Sequence, residues 1–426
     1  MHGDATGKRI ILTTHGTLGD VHPYLALALE LQRRGHRPVI ATSEYYRPRI
    51  ESEGVAFHPI RPDVAFDDRE LHRRLTEPKR GFERVIREVM MPVLRGMYDD
   101  LLAAVQSDGG AALIVSQVLV FAAPLVAEKT SVRWVSTELQ PGIFLSAHDP
   151  PMLAAFPALA KLRGLGPTFH RALFRVARLT ARSWSAPVHE LRRELGLAPG
   201  KDPLFEGRTS PELVLAMFSS LIGPPQSDWP PNTLVTGFPF FDEDGMTVPP
   251  ELERFLDDGE PPIVFTLGTS AVWTAGDFYR ESVAAAQKLG KRAVLLVGHD
   301  PRNRIGEPLP KTTIAIPYAP YARVFPRASV IVHQGGIGTT AQALRAGKPM
   351  LVLPFGGDQY DNGARIERLG IGRTVRQHRY ARDRVAALLQ ELLDRPGYSE
   401  QAAKARTRVL AEDGVRTACD AIEARL

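Results

Sequence analysis

The sequence predicts an α/β protein of two domains, each a parallel sheet wound on both faces by helices. Three observations carry that expectation. The chain has 426 residues, more than one hydrophobic core organises, so roughly two or three domains are expected. Short β-branched apolar runs alternate with amphipathic stretches, and this series occurs twice. Between the two series, residues 223–251 (GPPQSDWPPNTLVTGFPFFDEDGMTVPPE) are rich in proline, glycine and acids and lack periodicity, which reads as a linker. The expected units are 1–235 and 236–426, with the last helix able to pack back on the first.

In the first unit, residues 9–14 (RIILTT) form a buried strand. After a loop, Pro23 takes the first position of an apolar-rich helix, YLALALELQRR, which Gly35 closes. Residues 37–42 supply the next strand, and this strand, loop, helix, strand unit starts a parallel sheet. Further strands are expected at 55–60, 112–116, 132–137 and 214–218. Phe82, Ile86, Val89, Val93, Met97, Leu101 and Val105 trace a helical stripe with a kink near Pro92. Residues 140–197, first proline-rich and then arginine-rich, read as an insertion over the mouth of the first domain.

The second unit restarts the alternation with a strand at 262–267, a helix at 278–289 and strands at 293–298 and 312–316. Residues 328–372 then read ASVIVHQGGIGTTAQALRAGKPMLVLPFGGDQYDNGARIERLGIG. A strand at 329–332 runs into His333, a glycine turn (Gly335, Gly336, Gly338) and a helix from Thr339 that stops at Gly347. A strand at 349–354 leads to Asp358 and Gln359. Helices at 380–393 and 400–426 close the chain.

Composition sets limits on function. Hydrophobic content of 44% with 24% charged residues is that of a globular protein. The single cysteine, Cys419, excludes an internal disulfide and a cysteine-built zinc site, and fits a reducing cytoplasm. The N-terminus lacks a signal-peptide core, and no apolar run approaches a membrane span. The net charge of +5 comes from scattered basic residues. The one denser region, 161–193, with Arg163, Arg171, Arg175, Arg178, Arg182, Arg192 and Arg193, reads as a solvated helix face. Neither a nucleic-acid partner nor stable membrane insertion is expected, and the oligomeric state is left open.

Two constellations carry chemistry. A strand, a tight glycine turn and a helix N-terminus together make an anion site, because unpaired N–H groups and the helix dipole point at the guest. A diphosphate fits it. The glycine spacing differs from the dinucleotide fingerprint. His333, Thr339, Thr340, Asp358 and Gln359 on one rim lift it above a structural turn. The second constellation is THGTLGDVHP, residues 14–23, which offers His15 and Asp20 as candidate general bases. The competing reading makes Asp20 only the N-cap of a helix beginning at Pro23. Two weaker motifs are set aside. Asp242-Glu243-Asp244 matches an Asp-x-Asp metal site but reads as solvated acid in a tether. Residues 3–8 are one residue short of a phosphate loop and lack a Ser or Thr after Lys8.

Residues 318–372 resemble the nucleotide-sugar signature of the family 1 glycosyltransferases. Residues 19–60, GDVHPYLALALELQRRGHRPVIATSEYYRPRIESEGVAFHPI, resemble the start of their acceptor domain. The bacterial branches acting on antibiotics, flavonoids or sterols are the nearest. The resemblance implies a GT-B architecture, two Rossmann-like doubly wound domains facing across a cleft. It further implies an inverting, metal-independent transfer of a hexose from a UDP- or dTDP-sugar to a hydroxyl of a hydrophobic aglycone, such as a phenolic, polyketide or sterol. No cofactor is implied beyond the nucleotide sugar itself.

By the same resemblance, His333 and the amides of Gly336 to Thr340 hold the diphosphate, and Asp358 and Gln359 hold the sugar hydroxyls. Gly268, Thr269 and Ser270 line the diphosphate or sugar, and Tyr318 falls where plant members stack a Trp on the base. The catalytic base falls on Asp20, in the pattern formed with Gly19 and Pro23. Ser116 stands where plant members carry an Asp partner, which favours Asp20 acting without a dyad. Tyr321 and Ala341 replace a plant-type Gln and a ribose-binding Glu, so thymidine and uridine donors stay equally open. A nucleotide-sugar epimerase and a non-catalytic nucleotide-sugar-binding protein are the alternatives.

Overall fold

Strands that are apolar along their whole length, such as RIILT at Arg9–Thr13, have no polar face to give to water and must be covered on both sides. In the computed structural model, which describes residues 7–64, 68–243, 245–306 and 308–426, they form two parallel sheets. The first has seven strands: β1 (Arg9–Thr13), β2 (Arg37–Thr42), β3 (Ala56–Pro59), β4 (Leu113–Gln117), β5 (Arg133–Glu138), β6 (Val214–Ala216) and β7 (Thr233–Val235). Their order is β3-β2-β1-β4-β5-β6-β7. The second comprises β8 (Ile263–Thr266), β9 (Ala293–Leu296), β10 (Thr313–Ile316), β11 (Val330–His333), β12 (Met350–Val352) and β13 (Gly372–Thr374). Its order is β10-β9-β8-β11-β12-β13. Strand order reverses between β1 and β4 in one sheet and between β8 and β11 in the other. At such a point neighbouring connections leave to opposite faces and open a crevice.

Helix α1 (Leu18–Arg33) buries Val21, Tyr24, Leu25, Leu27 and Leu31 on one face of the first sheet. It begins five residues earlier than Pro23 suggests. Thr17 caps it: its side chain accepts from Gly19 N–H, and Asp20 at the third helical position returns a bond to the Thr17 N–H. This capping box fixes the start, and Pro23 sits inside the second turn, where it withholds a single N–H.

The stripe at 82–105 is not one helix. A short turn, Gly81–Arg84, passes into a π-helical turn, Val85–Met90, and a 3-10 turn, Met91–Val93, before α2 (Leu94–Gln106). Pro92 lacks the N–H that a continuous helix needs, so the wider and tighter turns absorb the register change around it. Phe82, the first residue of the stripe, is exposed.

The insertion at 140–197 contributes no strand. Its helix α3 (Gly166–Ala181) leaves Arg171, Arg175 and Arg178 in water. Arg163 and Arg192 depart from the solvated-face expectation: Arg163 hydrogen-bonds the Asp149 carboxylate and the Pro150 carbonyl, and the Arg192 side chain, 11% exposed, pairs with Glu128.

In the second domain, α4 (Phe278–Lys288), α5 (Ile337–Ala346), α6 (Gln359–Arg368), α7 (Arg382–Asp394) and α8 (Pro396–Leu410) cover the sheet. One apolar cluster joins the two domains, with Phe218, Ile222 and Trp229 packed in common with Ile331, Leu344 and Val409. The final helix, α9 (Gly414–Glu423), crosses back to α1. There Ala418, Cys419 and Ile422 share a core with Leu27 and Leu31, and Arg34 bonds Asp420 and Glu423 at 2.6 Å each. The two crossings of the chain between domains touch one another. Gly237 has φ +94°, and a Cβ there would lie 2.8 Å from Glu412 Cβ; a Cβ on Gly414 would lie 2.5 Å from the Phe238 backbone. No described helix is long and apolar enough to cross a membrane.

Candidate functional site

The carboxyl ends of β1, β4, β8 and β11 converge on one cavity of about 350 Å³ between the sheets. Helices α1 and α5 meet there by their N-termini, so closely that a Cβ on Gly338 would lie 3.9 Å from Gly19 Cα. On the α1 side, Asp20 Oδ2 accepts from the Thr17 N–H at 2.8 Å and the Thr17 hydroxyl at 3.3 Å. Asp20 Oδ1 accepts from Gln117 Nε2 at 2.9 Å. Burial, which disfavours the charged form, pushes the Asp20 carboxyl up to about 6, against those hydrogen bonds. Asp358 faces it from the start of α6. Burial lifts Asp358 to about 7, and the charge of Asp20 adds to the shift.

His15, the other candidate base, is 3% exposed and does not line the cavity. Burial holds its ring neutral, with the pKa lowered to about 4. Ser116, at the position of the plant partner, points to the opposite sheet face and accepts from Trp134 Nε1 at 2.7 Å. Side chains alternate along a strand, so Gln117, one residue on, is the β4 side chain that reaches Asp20.

On the α5 side, Gly336, Gly338 and Thr339 line the cavity, as do Gly268, Thr269 and Ser270 after β8. Helix α5 begins at Ile337, two residues before Thr339, with Gly336 as its cap. Gly335 has φ +90°, and a Cβ there would lie 2.7 Å from Val352 Cγ1 and 3.0 Å from the Gln359 carbonyl. Only glycine makes this turn.

His333, Gly335 and Thr340 are buried and do not line the cavity. His333 Nδ1 accepts from the Gly335 N–H at 3.1 Å, so the neutral ring carries its proton on Nε2, a buried donor without a partner among the described residues. Gln359 Oε1 accepts from the N–H of Phe355 at 2.7 Å and of Gly356 at 3.3 Å, which leaves its NH₂ uncommitted. Asp358 Oδ2 accepts from Asn362 Nδ2 at 2.7 Å.

Tyr318, Tyr321 and Ala341 form a third wall. The Tyr321 hydroxyl lies 2.9 Å from Thr266 Oγ1 and its ring stacks on Phe325. The Tyr318 hydroxyl donates to Glu243, whose other oxygen accepts from Arg49 at 2.7 Å. The acidic run is therefore not a solvated tether. Asp242 and Glu243 line the cavity, and Asp242 accepts from Arg345 at 2.8 Å. Asp244 and residues 3–6 of the short phosphate-loop motif lie outside the described residues. Among the described residues no cluster of three metal-ligating side chains forms.

Sequence reasoning missed Gln117, Gln334 and Glu138, all of which line the cavity. Glu138 ends β5, is 1% exposed, and leaves both oxygens without a hydrogen bond among the described residues. Its only signal in sequence was a charge directly after the strand expected at 132–137.

Residues 10–142 match the glycosyltransferase family 28 N-terminal domain, and residues 281–421 match the erythromycin biosynthesis protein CIII-like C-terminal domain. The chain is 33% identical over 428 residues to O-mycaminosyltylonolide 6-deoxyallosyltransferase of Streptomyces fradiae, covering 97% of both chains. It is 30% identical over 435 residues to sterol 3-beta-glucosyltransferase of Aspergillus terreus, which spans 97% of this chain but only 30% of that longer protein. Among solved structures, the glycosyltransferase of kitacinnamycin superposes with a TM-score of 0.74 at 21% identity over 99% of both chains. A spinosyn rhamnosyltransferase complexed with thymidine diphosphate superposes with a TM-score of 0.68 at 18% identity, covering 98% of this chain and all of that one.

Proposed function

The chain belongs to the family 1 glycosyltransferases, and on that premise we propose that it moves a hexose from a UDP- or dTDP-sugar to a hydroxyl of a hydrophobic acceptor, with inversion. One observation carries the reading. A buried carboxylate, Asp20, faces the N-terminus of α5 across a cavity lined by Gly336, Gly338 and Thr339, and behind that glycine turn the Nε2–H of His333 has no partner among the described residues.

Asp20 takes the proton from the acceptor hydroxyl as its oxygen attacks the anomeric carbon. The bond from that carbon to the diphosphate oxygen breaks, and the leaving diphosphate receives hydrogen bonds from the first N–H groups of α5 and from His333 Nε2. In this reading Asp358 and the free amide of Gln359, both lining the cavity, hold the sugar hydroxyls. Gly268 to Ser270 close the diphosphate end. Leu139, Ile143, Phe238, Phe240 and Phe241 give the cavity its apolar side, which suits an aromatic, polyketide or sterol aglycone. The thymidine diphosphate bound to the spinosyn enzyme favours a dTDP donor, and Ala341 offers no acceptor for a ribose hydroxyl.

Asp20→Asn keeps the size of the side chain and removes the base. Turnover, followed by mass spectrometry with UDP- and dTDP-hexoses against phenol, macrolide and sterol acceptors, is expected to fall ~10²- to 10⁴-fold. Near wild-type turnover in that variant would falsify the assignment and return the role to His15. Isomerisation of the donor sugar without any acceptor would instead identify an epimerase.

A further inference from the structure

Asp20 has no cationic partner among the described residues. The groups that face it are Thr17, His22 and Tyr24 from its own turn and helix, Tyr46 from the segment after β2, Gln117 from β4 and Asp358 from α6. Of these, Asp358 opposes its charge, and Thr17 serves Oδ2 alone as part of the helix cap. Among the described residues, Gln117 alone reaches Oδ1 from another element.

The Gln117 amide has one orientation open to it. Its Oε1 accepts from the His15 N–H at 3.2 Å, which turns its NH₂ toward Asp20. A flipped amide would set oxygen against oxygen at Asp20 and N–H against N–H at His15. The side chain is 6% exposed and spans from the end of β1 to the start of α1. An amide cannot take up a proton, so this pair is not a proton relay of the kind an Asp partner makes.

We propose that Gln117 is the positioning residue of the base, orienting the Asp20 carboxylate toward the acceptor and keeping it ionised. This rests on the assignment of Asp20 as the base. With Nε2 on one lone pair of Oδ1, the second lone pair is left for the incoming hydroxyl. A donor that bonds the charged carboxylate also counters the burial and the Asp358 charge that oppose ionisation.

The test is a carbon-13 titration of side-chain-labelled aspartates in the full chain, with Asp20 assigned by the signal lost in Asp20→Asn. In Gln117→Met, which keeps length without the amide, the Asp20 midpoint is expected to rise by about one unit. Gln117→Asn, which keeps an amide too short to bridge His15 and Asp20, is expected to move it the same way and serves if the Met variant fails to fold. The acid limb of the kcat/KM profile should move upward with it. A wild-type midpoint in both variants overturns the proposal. Full turnover in Asp20→Asn removes the base assignment while leaving the titration result standing, so the two failures are separable.

Discussion

At the scale of single residues, the site depends on carboxylates held where charge is disfavoured. Asp20 acts only when ionised, and its pKa of about 6 places the loss of activity on the acid side. As pH falls below 6, kcat/KM is expected to drop about tenfold per unit, and a profile flat from pH 5 to 8 would rule out Asp20 as the titrating base. On the donor side, His333→Ala removes the unpartnered Nε2–H. Calorimetry should show nucleotide-sugar affinity weakened roughly 10- to 100-fold; unchanged affinity would remove His333 from the diphosphate site. Both candidates could be named from the sequence because each sits in a short motif whose neighbours announce it. Gln117 was not. Its role is set by which strand face it occupies and by a partner 97 positions away, and a reading one residue off lands on Ser116, which points into the other core.

At the scale of elements, most strand and helix types followed from apolar periodicity. Two strands of three residues, β7 inside the expected linker and β13, were too short to show a period, and the expected helix at 400–426 is two, Pro396–Leu410 and Gly414–Glu423. Other errors fell where capping or proline chemistry decides. The α1 start was written in Thr17-x-x-Asp20, a pattern that competes with Pro23 as a start signal, and the capping box prevailed. Pro92 broke the long stripe more thoroughly than a kink, because the chain could place a π turn before it and a 3-10 turn around it. The glycine turn before α5 carries the strictest demand. Gly335→Ala meets both a positive φ and Val352 at 2.7 Å, and should destabilise the protein by about 2–4 kcal/mol. A melting temperature equal to wild type would show that the turn relaxes.

At the scale of the molecule, the insertion is tied to the far domain. Arg365 of α6, with its side chain 3% exposed, pairs with Asp149 of the insertion and with Asp361, at 2.5 and 2.7 Å. Arg365→Met leaves the buried Asp361 carboxylate without its cation, while Asp149 keeps Arg163, and is expected to cost about 3–5 kcal/mol. Adding Asp361→Asn should recover part of the loss; a double variant no better than the single one would deny the coupling. Nothing in the sequence joined positions 149 and 365, since an ion pair between domains leaves no periodic trace.

The buried acids also set how stability depends on pH. Asp20, Glu138 and Asp358 all have folded-state pKa values raised to between about 6 and 7. Between roughly pH 4 and 7 the folded state therefore binds more protons than the unfolded one, so these groups favour folding at low pH and the benefit is lost as pH rises through 7. In thermal melts, Asp358→Asn should gain on wild type as pH climbs from 4.5 to 7 and hold a constant lead above it. A lead independent of pH would sink this account.

The two crossings between domains, pressed together at Gly237 and Gly414, have a mechanical consequence. A single tether lets two bodies swing and swivel freely. Two strands side by side act as a pair of pins: they bend together about one axis, but twisting would drive the Gly414 Cα into the Phe238 backbone. The paired crossings thus restrict twist between the domains more than a single tether would, which favours the alignment of Asp20 on one side with the α5 turn on the other.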